Sequence, residues 1–352
     1  MIFRLLLVFC LSACSAPGYY LQAMSGQKKL MQSRQDIQSL LNDPATPVEL
    51  AEQLETAEGI KTFAQDRLGL PVDGSYSSYV EIEGEALVWN VVATPEFSLQ
   101  PKIWCFPVAG CVPYRGYFKQ QKAREFADRL AQKGMDVLVS PAAAYSSLGW
   151  FSDPLPSTLL SGSDSRLAGY LFHELAHQRL YIKHDALFNE GYASFVEETG
   201  VRLWLESYQQ TDELQKWQQL QDVTVDFSGL IRKTRAKLAA LYSSKETDIV
   251  MRQQKAAIFY ELEQDYQKLR SEKWQGKPYY SAWFKGPLNN ARLALFNTYE
   301  GSRCAFQQLW DKSGYDPQRF HQLAEQKSKL PEKERRQWLR QKCPGIAPQA
   351  NL

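Results

Sequence analysis

Little in this 352-residue chain marks a membrane-spanning or nucleic-acid-binding protein. The apolar run from Leu5 to Leu11 is far shorter than a helix needs to cross a bilayer. Charge of one sign is scarce as well, because 41 Lys and Arg nearly balance 39 Asp and Glu. The net charge of +2 excludes the concentrated basic surface that nucleic acid demands. No internal repeat or low-complexity tract occurs, which excludes a repeat array. Histidine is scarce too: there are only 4, and three of them fall within residues 171–198.

What is present supports a folded core. Hydrophobic residues make up 44% of the chain and aromatics 12%, enough for one large domain or two smaller ones. Arg4 followed by Leu5–Leu11 reads as the core of a signal peptide. The segment that ends it, Leu11-Ser12-Ala13-Cys14, resembles the lipobox of bacterial lipoproteins. That resemblance implies cleavage before Cys14, lipid on its thiol and attachment to a membrane. Ser15, where an aspartate would retain the protein at the inner membrane, favours the outer membrane facing the periplasm.

The cysteines suit such an oxidising compartment. With Cys10 removed and Cys14 acylated, Cys105, Cys111, Cys304 and Cys343 remain. The loop between Cys105 and Cys111 holds Pro107 and Gly110, so it can turn back and close a small bridge. Cys304 with Cys343 would then pin the C-terminal tail. Three pairings satisfy the sequence, and free buried thiols are the alternative.

The apolar spacing predicts an α+β, predominantly α-helical protein. Beyond the signal (1–13), residues 14–72 carry three- and four-residue apolar intervals that predict helices. Residues 73–208 hold the strand-like "ALVWNVVA" and "KIWCFPV", then a helix ending at Gly134 and a strand from Met135. They finish in the histidine-rich stretch, with helix caps offered near Ser163–Ser165. Residues 209–352 form a helical C-terminal part, with two long helices predicted over 210–273.

The stretch "LFHELAHQRLYIKHDALFNEGYASFVEE" (171–198) carries the chemistry. His173-Glu174-Leu175-Ala176-His177 is a His-Glu-x-x-His pattern. Four residues on a helix turn the chain slightly past one rotation, so both imidazoles project from one face toward one cation. Glu174 lies beside that face. Imidazole nitrogens with an oxygen ligand suit zinc better than magnesium or calcium. The third ligand is His184 or Glu190. If the first helix ends near Tyr181 and Asp185 caps a second, His177 and Glu190 both lie roughly 6–8 Å from the turn at about 1.5 Å per residue. An antiparallel helical hairpin then sets them level, which selects Glu190.

"HELAHQ" followed by "NEGYASFVE" resembles the gluzincin metallopeptidases, particularly the aminopeptidase N family. The wider chain, with "WCFPVAGCVPYRGYF", "AYSSLGWFSDP" and "LNNARLALFNTY", resembles a family of bacterial lipoproteins called putative aminopeptidases. These resemblances imply a thermolysin-like core with one Zn(2+) per chain. The ligands would be His173, His177 and Glu190, the general base Glu174, and Glu197 would orient a ligating histidine. They imply hydrolysis of a peptide substrate by a zinc-bound water that Glu174 activates. The linker is shorter than in aminopeptidase N, with 12 residues between His177 and Glu190. The metzincin pattern fails, since Leu180 and Lys183 stand where Gly and His would be needed.

Other catalytic parts are less legible. The resemblance implies an oxyanion-stabilising tyrosine, yet Pro287 occupies its position; Tyr280 is the substitute, with Tyr299 behind it. Substrate would lie along an edge strand within 136–150, and Asp153 is the acid nearest to it for binding a free amine. The Gly-x-Met-Glu-Asn motif of aminopeptidases is absent, which leaves an endopeptidase open. Asn289 and Asn290 read as a helix cap, His184 as a solvent-exposed turn residue and His321 as structural. The alternative from another class is a non-catalytic, zinc-stabilised envelope lipoprotein that docks a protein partner through its long helices.

Overall fold

The computed structural model describes residues 15–72, 74–106, 110–144, 152–296 and 300–341. It is an α+β structure dominated by helices, as the apolar spacing predicts. Helix α1 (Ser15–Gln32) leads into a short strand β1 (Gln35–Asp36), then α2 (Ile37–Asn42) and α3 (Val48–Asp66). Asp36 separates α1 from α2 because its carboxylate accepts the Ser39 N–H and starts a new helix. Strands β2 (Ser78–Val80) and β3 (Val88–Pro95) follow, then the hairpin β4 (Trp104–Phe106) and β5 (Gly110–Val112). Cys105 and Cys111 face each other across that hairpin and are joined by a disulfide.

Strand β6 (Arg115–Tyr117), helix α4 (Gln120–Ala131) and strand β7 (Met135–Ala142) complete a three-stranded antiparallel sheet ordered β6-β3-β7. Val91 and Ala93 of β3 pack with Ala123, Ala127 and Leu130 of α4 beneath it. Strand β8 (Leu155–Pro156) joins β2 and β1 in a second small sheet, and α5 (Ser157–Leu160) follows.

Helices α6 (Asp164–Arg179) and α7 (Ala186–Ser207) form the hairpin that the motif predicts. Helix α6 starts on Ser163, whose hydroxyl accepts the Arg166 N–H; α7 starts on Asp185, whose carboxylate accepts the Phe188 N–H. The pair carries the main core. Phe172, Leu175, Phe188 and Tyr192 are fully buried there with Phe306 and Phe320. Each such side chain contributes about 1.5–3 kcal/mol by leaving water, so the hairpin is held rigidly.

Helices α8 (Thr211–Tyr242) and α9 (Asp248–Glu272) run antiparallel, with Lys233 pairing Asp265 and Lys237 pairing Glu261. They enclose a second core around Phe227, Leu262 and Tyr266. Helices α10 (Asn290–Leu295), α11 (Glu300–Lys312), α12 (Pro317–Ser328) and α13 (Glu332–Leu339) close the fold. Cys304 is disulfide-bonded; Cys343, like Cys14 and Tyr299, lies outside the described residues. Among the described residues, no helix is long and apolar enough to cross a membrane.

Candidate metal centre

The α6–α7 hairpin brings His173, His177 and Glu190 together, with one donor atom from each lying within 4.8 Å of the others. His173 Nε2 is 3.4 Å from Glu190 Oε2, and His177 Nε2 is 3.7 Å from Glu190 Oε1. The two imidazoles stand nearly perpendicular, their centroids 4.8 Å apart. This follows from the short linker: α6 ends at Arg179, α7 begins at Ala186, and the facing turns meet at the level of His177 and Glu190.

Glu197 lies two turns beyond Glu190 on α7, and its Oε2 is 2.9 Å from His173 Nδ1. A proton held between these atoms fixes the tautomer that presents Nε2 to the centre. Gly169 makes room for that carboxylate, since a Cβ at 169 would stand 3.3 Å from Glu197 Oε1. His177 is 6% exposed, and its Nδ1 has no hydrogen-bond partner among the described residues.

The electrostatics suit a cation. Burial pulls His173 down, but the hydrogen bonds to Glu190 and Glu197 and the charges of Glu197 and Glu174 together hold it well above its usual range. The His173 ring thus sits in a pocket of negative charge. Burial and the neighbouring His173 charge push His177 down to about 4 against the pull of Glu190. Burial raises Glu190, yet the two histidines hold it lower than an ordinary glutamate. Two imidazole nitrogens and one carboxylate, converging this closely in a half-buried place, fit a divalent transition ion.

The three letters of Asn189-Glu190-Gly191 each have a physical reason. Asn189 is buried, and its amide clamps the connecting loop: Oδ1 accepts the Ile182 N–H and Nδ2 donates to Ile182 O, both at 2.8 Å. Glu190 supplies the carboxylate. Gly191 lets α11 approach, because a Cβ there would come within 2.9 Å of Ser302 Cβ. Sequence reasoning treats Asn189 only as part of a signature.

Other expected residues fall elsewhere. His184 is exposed in the loop at φ +67°. His321 is buried, its Nε2 2.8 Å from Leu68 O and its Nδ1 2.7 Å from the Tyr192 hydroxyl. Asp153 is 2% exposed, and its backbone carbonyl accepts the Tyr76 N–H. Asn289 caps α10 and also donates to Val137 O on β7. The interior Asn290 bonds Glu96 O and accepts from Tyr242.

Tyr280, expected as the oxyanion partner, packs against the α8–α9 core. Its ring stacks on Phe227 at 3.9 Å in the α8–α9 core, and its hydroxyl donates to Thr224. An aromatic that fills a gap in a core is indistinguishable from a catalytic phenol by spacing alone. Conversely, Tyr181 stands beside His177, with ring centroids 6.2 Å apart, and sequence reasoning passes over it. The available signal is its place four residues after His177.

Residues 18–339 match the family described as "Putative aminopeptidase". The chain belongs to this family. The match runs from α1 to the end of α13 and so takes in both helices of the centre. The family description names a peptidase and no metal; the metal reading rests on this chain's own donor set. Neither the curated proteins nor the solved structures contain a match to the chain.

Proposed function

We propose that the chain is a zinc-dependent aminopeptidase of the gluzincin type. The observation that carries this reading is the convergence of His173, His177 and Glu190 from two helices, with Glu174 next in sequence to a ligand. These three side chains would hold one Zn(2+) per chain. Bound there, the ion supplies Lewis acidity that polarises a carbonyl and acidifies water.

The chain's own groups account for the proton traffic. Glu174 accepts a proton as water oxygen bonds to the scissile carbonyl carbon. It returns that proton to the departing nitrogen as the C–N bond breaks, leaving a carboxylic acid and an amine, between which the acid proton then passes. No covalent bond to the enzyme forms. Glu197 keeps His173 in one tautomer throughout. For substrate, β7 is an edge strand; beyond Val137, whose carbonyl Asn289 takes, Leu138–Pro141 line a cavity of about 430 Å³ with Trp283, Arg292 and Phe296. An extended peptide can add main-chain hydrogen bonds along such an edge.

The lipobox-like segment ending at Cys14 supports an N-terminal lipid anchor and residence at the outer membrane facing the periplasm. The disulfides at Cys105–Cys111 and at Cys304 agree with an oxidising compartment. Cleavage-site mapping tests the activity. A peptide mixture with free N-termini should be shortened residue by residue, a matched N-acetylated mixture should survive, and a chelator should stop the reaction. Internal cuts in the acetylated peptides would replace the aminopeptidase with an endopeptidase.

A further inference from the structure

Hydrolysis of an amide builds negative charge on the carbonyl oxygen, and a hydrogen-bond donor aimed at that oxygen lowers the barrier. Tyr280 donates its hydroxyl to Thr224 and packs against the α8–α9 core. Tyr170, closer to Glu174 in sequence, is packed edge-on against Tyr76. Tyr181 differs from both. It follows the α6 cap residue Leu180, where the backbone leaves the helix in an extended conformation, and it is 49% exposed. Its ring meets the His177 imidazole edge-on, at 79° between planes.

The loop that carries Tyr181 is held at both ends. Asn189, the residue before ligand Glu190, takes both backbone groups of Ile182. Asp185 caps α7 and is gripped by Arg335 of α13, with its Oδ2 2.6 Å from Arg335 Nε. These bonds fix the backbone from which the Tyr181 side chain projects.

We propose that Tyr181 is a catalytic residue whose hydroxyl donates a hydrogen bond to the reacting carbonyl oxygen, positioned through the Asn189–Ile182 clamp. This rests on the peptidase reading above. The Tyr181→Phe variant keeps the ring against His177 and removes the hydroxyl alone. The zinc-loaded variant should lose about 10²–10³-fold in kcat with KM little changed. A binding measurement independent of turnover accompanies it. A phosphinic dipeptide, which mimics the tetrahedral species, should bind the zinc-loaded variant at least tenfold more weakly, while a simple amino acid amide binds equally well.

Undiminished kcat and unchanged phosphinate affinity would overturn the role of Tyr181 and leave the peptidase standing. Loss of zinc by the variant would overturn it too, since the residue would then be supporting the ligands. A zinc-loaded wild type that hydrolyses no peptide would overturn both.

Discussion

Glu197 Oε2 and His173 Nδ1, on facing helices, lie 2.9 Å apart, while His173 Nε2 looks toward Glu190. One side chain thus takes its orientation from one carboxylate and meets the other. Glu197→Gln offers the imidazole a neutral partner in place of a carboxylate. Zinc affinity should fall about 10–100-fold while the fold is kept. Competition with a chromophoric chelator measures this; an unchanged affinity would show that Glu197 merely lies nearby.

The start of α7 depends on a buried pair, Asp185 and Arg335, which are 5% and 7% exposed. Arg335 also donates to Leu330 O and Ser328 O, so it ties the α12–α13 turn to the ligand helix. Arg335→Met strands a buried carboxylate and should cost about 3–5 kcal/mol. The double variant with Asp185→Asn should recover part of that loss. Urea denaturation of the two variants and the wild type checks both the size and the partial rescue.

Gly191 faces Ser302 of α11 across a gap too narrow for a methyl group. Gly191→Ala should destabilise by about 1–3 kcal/mol through overpacking and should displace Glu190 beside it. Adding Ser302→Gly should restore much of the stability. If the single variant melts with the wild type, the close approach of α7 and α11 is wrong.

His321 gives the fold an acid limit. Burial, opposed by its bond to Leu68 O and reinforced by the Arg179 charge, pulls it down to about 4, against 6.5 in an open chain. Below pH 6.5 the unfolded chain takes up a proton that the folded one refuses, so stability falls as pH drops from 6.5 to 4. The loss is about 3 kcal/mol at 1.36 kcal/mol per pH unit. Denaturation across this window should show it in the wild type and not in His321→Gln; equal slopes would contradict it.

The centre is legible in the sequence because its geometry is local. His173, His177, Glu190 and Glu197 sit on two consecutive helices, and the caps Ser163 and Asp185 fix where those helices begin. The disulfide at Cys105 and Cys111 is legible for the same reason, with a turn between neighbours. Arg335 is not legible: 150 residues separate it from Asp185, and no periodicity connects them. The packing of Tyr280 is not legible either, because an aromatic spacing reports that a ring is wanted and not which core wants it. The break between α1 and α2 is visible only once Asp36 is seen to cap the Ser39 amide.

The most direct test pairs metal analysis with hydrolysis in Glu174→Gln. The variant should bind one zinc per chain as the wild type does, keep its folded spectrum and lose about 10²–10⁴-fold in peptide hydrolysis. Hydrolysis at the wild-type rate by the zinc-loaded variant, or a wild type that takes up no zinc at all, would contradict the account.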